Sequence, residues 1–208
     1  MKKGGIFITF EGLEGSGKSS QIGLLASQLK ELNYNIKATR EPGGTRIGEL
    51  IRQITHNKDN VDLTSVTESY LMAASRAQHV REIIRPALEQ GMVVLCDRFL
   101  DSSLAYQGYG RGLGEDEITV INKLAIDDVF PDLTIFLDVA PELGFQRRDG
   151  SGKIDRLDLQ QSDFYHRVYE GYKKLADKNR GRFFIVDSSL PMKEVHLKIW
   201  QKVKDLLE

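Results

Sequence analysis

The chain has 208 residues, a formal net charge of −1 and 40% hydrophobic residues. That length suits one domain, 1–208, with ample material for a core. The balanced charge gives no broad positive field, which excludes nucleic acid as an expected partner, although a local basic cluster still holds a small anion.

From the N-terminus, Met1–Gly5 carries two lysines, but the apolar run behind it is only Ile6–Phe10. A secretory signal needs a longer apolar core, and a membrane span needs roughly 18–20 apolar residues. The single cysteine, Cys96, has no internal partner and lies in the apolar run Val93–Cys96. A buried thiol in a reducing compartment fits best. The expectation is a soluble cytoplasmic protein with no membrane partner.

Five short runs, Ile6–Phe10, Ile36–Thr39, Met92–Cys96, Leu133–Val139 and Phe183–Val186, read as strands because they are β-branched or aromatic-rich. Between them Ser19–Leu32, Gly48–His56, Thr64–Glu89, Asp116–Val129, Gln160–Lys178 and Pro191–Leu207 read as helices. In the fifth, Phe164, Val168, Tyr172 and Leu175 recur at three and four residues and form one apolar stripe. This alternation predicts an α/β fold, a parallel sheet with helices on both faces and ligands beyond the carboxyl ends of the strands. Gly108–Gly114 and Arg147–Arg156, rich in glycine and basic residues, are expected to be mobile loops serving the site.

Gly12-Leu13-Glu14-Gly15-Ser16-Gly17-Lys18-Ser19 matches G-x-x-x-x-G-K-[ST] between a predicted strand and a predicted helix. Glycines let the backbone wrap a phosphate chain with its N–H groups inward, and the helix turns its positive end to the same anion. Lys18 adds a cation for β- and γ-phosphates, and the Ser19 hydroxyl is a Mg²⁺ ligand. The expected ATP-binding set runs from Gly12 to Ser20. A guanine-nucleotide switch is excluded: its two signatures occur only in reversed order, at Asp149–Gly152 and Asn122–Ala125, with Ala125 where an aspartate would read guanine.

Asp97-Arg98 follows the third strand, so both side chains are expected at the phosphate rim. There an aspartate organises Mg²⁺ and an arginine grips phosphate oxygens. Arg147, Arg148, Lys153 and Arg156 form a basic segment, read as a lid at about 147–157. Because Gly15 follows Glu14, the cradle supplies no arginine of its own, and the lid is expected to bring that charge. The catalytic candidates are Lys18, Asp97, Arg98, Arg148 and Arg156; the metal candidates are Ser19 and Asp97. No Ser/His/acid triad and no Cys/His metal cluster is present. His56, His79, His166 and His196 are scattered, with surface or packing roles sufficient for each. A phosphate acceptor is already ionised, so no strong base is needed.

These residues resemble the bacterial branch of the thymidylate kinase family along nearly the whole chain. The resemblance is carried by Phe10–Ser19, Thr39-Arg-Glu-Pro-Gly-Gly-Thr45, Ala73-Ala-Ser-Arg-Ala-Gln-His79, Asp97-Arg98 with Ser102–Gly108, and Asp155-Arg-Leu-Asp158. It implies a nucleoside-monophosphate-kinase fold and transfer of the γ-phosphoryl of ATP to dTMP, with Mg²⁺, in a homodimer using helices such as Thr64–Glu89. It also implies a substrate set of Glu14, Glu41, Arg52, Met72, Arg76, Arg98, Ser103, Tyr106 and Gln107. Glu14 would approach the 3′-hydroxyl, and Arg52 and Arg98 the acceptor phosphate. Arg76, Ser103 and Gln107 would meet the thymine, and Tyr106 would crowd the sugar's 2′ position. Met72 departs from the family's usual phenylalanine over the base, and a thioether covers a ring with looser geometry. Two alternatives stay open from the residues alone: another nucleoside-monophosphate or deoxynucleoside kinase, and a non-catalytic ATP sensor.

Overall fold

Alternating β-branched runs and amphipathic stretches become one parallel sheet in strand order β2-β3-β1-β4-β5. The strands are β1 (Ile6–Glu11), β2 (Ile36–Arg40), β3 (Val93–Asp97), β4 (Leu133–Asp138) and β5 (Phe183–Asp187). The computed structural model describes residues 4–149, 156 and 162–208. β1 lies at the centre and is nearly all buried, as a strand covered on both faces must be. Side chains alternate between the faces. Ile8, Phe10, Leu95, Ile135 and Leu137 share one core with α1 (Lys18–Glu31) and α9 (Met192–Leu207). Phe7, Val94, Cys96 and Phe136 share the other with α8 (Ser162–Lys178).

The expected stripe on α8 is the face that packs: Phe164, Val168, Tyr172 and Leu175 are all buried. Two further helices start from side-chain caps. Thr45 accepts from Gly48 N–H at the head of α2 (Arg46–His56), and Thr64 accepts from Thr67 N–H at the head of α3 (Ser65–His79). The long helix expected over Thr64–Glu89 runs as α3, a π-helical turn Val80–Ile84 and α4 (Arg85–Glu89). Pro86 has no N–H to give an ordinary helical bond, and a π turn absorbs that loss.

Two segments differ from the sequence expectation. Leu100–Gly110 is helical, as α5 (Leu100–Ser103) and a π-helical turn (Leu104–Gly110) that packs on α8. Gly108 and Gly110 are therefore buried rather than part of a mobile loop. At Gly110 a Cβ would lie 2.6 Å from Val168, so glycine there serves close packing, not motion. α6 (Glu115–Ile126) follows. Helix α7 (Pro141–Asp149) was not foreseen and includes Arg147, whose Nη1 donates to Ser188 O at 2.7 Å.

Register aligns the strand ends. Phe10 and Arg40 both pair with Asp97, so Glu11, Glu41 and Arg98 emerge together at the carboxyl rim, where open α/β sheets bind ligands.

Candidate active site

The loop from Gly12 to Gly17 leaves β1 and turns into α1, with Gly17 in the left-handed region at φ 92° as the helix cap. Lys18 is buried and its Nζ donates to Gly12 O at 3.1 Å and Leu13 O at 2.9 Å. Burial, with Arg98 nearby, lowers the Lys18 pKa. Gly15 sits at φ 74°, and a Cβ there would lie 2.1 Å from Gly144 O of α7. A side chain at position 15 is thus blocked by torsion and by backbone, which explains why this loop carries no arginine.

Ser19 Oγ donates to Asp97 Oδ2 at 2.9 Å. Together with Gly15, Gly17, Lys18 and Ser20 they line one cleft at the rim. Two hard oxygen donors beside a phosphate loop fit Mg²⁺, which is commonly held by one or two carboxylates plus phosphate and water. Among the described residues no cluster of three or more His, Cys, Asp or Glu could hold a metal on its own.

A second cavity adjoins the first. All nine expected substrate residues line it: Glu14, Glu41, Arg52, Met72, Arg76, Arg98, Ser103, Tyr106 and Gln107. Arg76 is 3% exposed. Its Nε donates to Glu41 at 2.8 Å, one Nη to Asn122, and the other to Phe99 O at 2.9 Å and Ser103 Oγ at 3.1 Å. His79, fully buried, bonds Glu41 Oε1 and Thr39 Oγ1. Its packing role is to hold the carboxylate that aims Arg76. Arg52 reaches the cavity from α2 and donates to Pro42 O at 3.1 Å.

Arg98 has φ 71°, a left-handed torsion that few residues with a side chain adopt. One Nη donates to Gly12 O, Ser102 and Tyr172, and the other to Glu14 at 2.6 Å and Tyr106 at 3.2 Å. The Arg98 charge, against the effect of burial, holds the Glu14 carboxyl far below the ordinary carboxylate range. Burial, more than any other cause, pushes Tyr106 up to about 12, so it stays a phenol.

Beneath this layer Glu11 accepts from Phe99 N–H at 2.8 Å, Ser102 Oγ at 2.5 Å and Tyr172 OH at 2.9 Å. Burial first, and Asp101 second, raise it to about 7. Glu11, Ser102 and Phe99 were not singled out from the sequence. Their neighbours in the motifs Phe10–Ser19 and Ser102–Gly108 were the available signal. His56, read as having no site role, also lines the cavity. Burial, followed by Arg52, lowers it to about 4, so it is neutral near pH 7.

The basic segment is brought in only partly. Arg156 is 4% exposed and turned away from the phosphate loop: its Nε donates to Thr55 O at 2.9 Å and its Nη2 pairs with Glu68. The cause is electrostatic. Glu68 is completely buried, and a buried carboxylate needs charged partners. The Arg148 side chain, Lys153 and residues 150–155 and 157 of the expected lid lie outside the described residues.

A family model described as thymidylate kinase matches residues 10–199. The thymidylate kinase of Clostridium novyi (strain NT) is 46% identical over 206 residues, covering 98% of both chains. That of Geobacillus thermodenitrificans (strain NG80-2) is 47% identical over 193 residues, covering 92% of this chain and 86% of its own. The crystal structure of thymidylate kinase from Ehrlichia chaffeensis superposes with a TM-score of 0.78 at 37% identity, covering 97% of this chain and 99% of that one. A phosphate loop opening α1, a flanking cavity lined by arginines, and these full-length matches agree, and the chain belongs to the thymidylate kinase family.

Proposed function

We propose that the protein transfers the γ-phosphoryl of ATP to the 5′-phosphate of dTMP, giving dTDP and ADP, with Mg²⁺ as cofactor. One observation carries this reading. Glu14, Glu41, Arg52 and Arg98 line both the phosphate cleft and the adjoining cavity, so the two form a single trough. A nucleoside monophosphate in the cavity would meet the end of a triphosphate in the cleft, which is the arrangement that in-line transfer needs.

In this reading the Gly12–Ser20 amides and Lys18 hold the triphosphate, and Ser19 and Asp97 are the residues for Mg²⁺. When bound, the ion neutralises charge developing on the transferring group. Arg98 and Arg52 hold the acceptor phosphate, and Glu14 takes the 3′-hydroxyl. Tyr106 excludes a 2′-hydroxyl, while Met72 covers the base and Arg76, Ser103 and Gln107 meet its edge. The acceptor oxygen is ionised at neutral pH, so no residue has to remove a proton. Arg148 and Arg156 are the candidates for the additional positive charge; Arg156 serves only by exchanging Glu68 for a phosphate oxygen.

A homodimer is supported by an exposed apolar face. Val66 and Tyr70 on α3 and Val120 and Leu124 on α6 are 51%, 60%, 74% and 83% exposed, a cluster that ordinarily marks an interface. No helix of the described residues is long and apolar enough to cross a membrane. The cytoplasm is the compartment that the lone buried Cys96 favours.

The test is an acceptor panel of dTMP, dUMP, dCMP, AMP and thymidine, run with ATP and Mg²⁺ and read by coupled ADP detection. The highest kcat/KM is expected with dTMP. ADP release with dTMP no faster than without acceptor, despite ATP binding, would support the sensor reading instead.

A further inference from the structure

The π-helical turn Leu104–Gly110 presents Gln107 to the cavity, but the residue behind it settles which end of the amide faces inward. Gln107 is 2% exposed and lines the cavity beside Met72, Arg76 and Ser103. Its Nε2 donates to Glu68 Oε1 at 2.7 Å. Glu68 lies one layer outside the cavity wall, on α3, fully buried. Burial alone would raise its carboxyl, but Arg111, Arg156 and Gln107 more than offset that and leave its pKa below the ordinary value. Arg111 Nη2 stands 3.1 Å from Glu68 Oε2. An ionised carboxylate only accepts hydrogen bonds, whereas a carboxamide both donates and accepts. The Gln107 amide nitrogen therefore has to face Glu68, and the oxygen is the end directed to the cavity.

We propose that Glu68 is a positioning residue for pyrimidine selection, holding the Gln107 carboxamide so that its oxygen accepts a hydrogen bond from a ring N3–H. The inference rests on dTMP being the acceptor. Thymine and uracil carry a proton at N3. Cytosine offers a lone pair there, so two acceptors would oppose each other. A site whose buried polar group is left unpaired rejects the wrong ligand strongly. Selection against cytosine thus originates in a carboxylate that need not touch the nucleotide.

The variant Glu68→Asp keeps the charge that Arg111 and Arg156 face and withdraws the acceptor from Gln107 by about 1.5 Å, one carbon–carbon bond. Its KM for dTMP is expected to rise about tenfold and its dTMP:dCMP ratio of kcat/KM to fall about tenfold, while the KM for ATP stays within about twofold. A purely structural role would lower melting temperature and disturb the ATP parameters together. Glu68→Gln, isosteric and neutral, is the second variant should the first fail to fold, and the same fall in ratio is expected. A folded variant that retains the wild-type dTMP:dCMP ratio overturns the role of Glu68 and leaves the acceptor reading intact. An unmodified protein that favours dCMP overturns the acceptor reading and this inference with it.

Discussion

Arg98 Nη2 and Glu14 Oε1 stand 2.6 Å apart where the phosphate cleft runs into the adjoining cavity. The pair joins β3 to the phosphate loop of β1, across 84 residues of sequence. It fixes both side chains at the junction of the two spaces, each of which they line. Arg98→Lys keeps the charge and loses the fork that grips two oxygens. A fall of about 10²–10³ in kcat/KM for dTMP is expected. Steady-state kinetics, with circular dichroism to verify folding, check this; a loss below about tenfold would remove Arg98 from the clamp.

Met72 is 8% exposed in the cavity wall, where a flat ring would add stacking that a thioether gives only loosely. Met72→Phe is expected to tighten dTMP binding by about fivefold, roughly 1 kcal/mol. Titration calorimetry reads it directly. An unchanged dissociation constant would mean that residue 72 does not cover the base.

Glu11 gives a pH prediction whose sign follows from burial. Its folded pKa is raised to about 7 from 4.5, so between those values the unfolded chain has already released a proton that the folded chain retains. Stability from this residue is present below about pH 4.5 and is lost as pH rises to about 7. Urea melts of wild type and Glu11→Gln between about pH 5 and 8 should show wild type losing stability relative to the variant, with the difference levelling above pH 7. A difference independent of pH would mean that Glu11 is ionised throughout.

The exposed face of α3 and α6 makes an assembly prediction. Leu124, 83% exposed, becomes an unpaired charge in a dimer interface if changed to aspartate, at a cost of several kcal/mol when fully desolvated. Leu124→Asp is expected to shift the protein to monomer at micromolar concentration, with its circular dichroism unchanged. Sedimentation velocity decides it: a variant that sediments as wild type leaves the face outside the interface.

Local spacing made the phosphate loop legible, because strand, glycines, lysine and helix lie within one short stretch of chain. Arg98 was legible from its place after β3, but Arg52 and Arg76 were reachable only through the family resemblance, since nothing in their spacing says that α2 and α3 turn them to the same space. Leu100–Gly110 was harder, because its glycines imitate a loop while Gly110 serves close packing on Val168 and Phe164. α7 escaped because Gly144 and a polar sequence hide a helix that backs onto the phosphate loop. Glu68 was invisible for a different reason. Its partners Gln107, Arg111 and Arg156 are 39, 43 and 88 residues away, and a glutamate in an amphipathic helix ordinarily faces water.

The abutment of Gly15 on Gly144 has a mechanical consequence. Where main chain rests on main chain, no side chain lies between as a cushion, and a tilt of α7 is felt at once by the amides of the loop it supports. The helix that leads into the 150s and the cradle beneath it thus behave as one stiff joint, and even a single methyl group added at that point would pry it open.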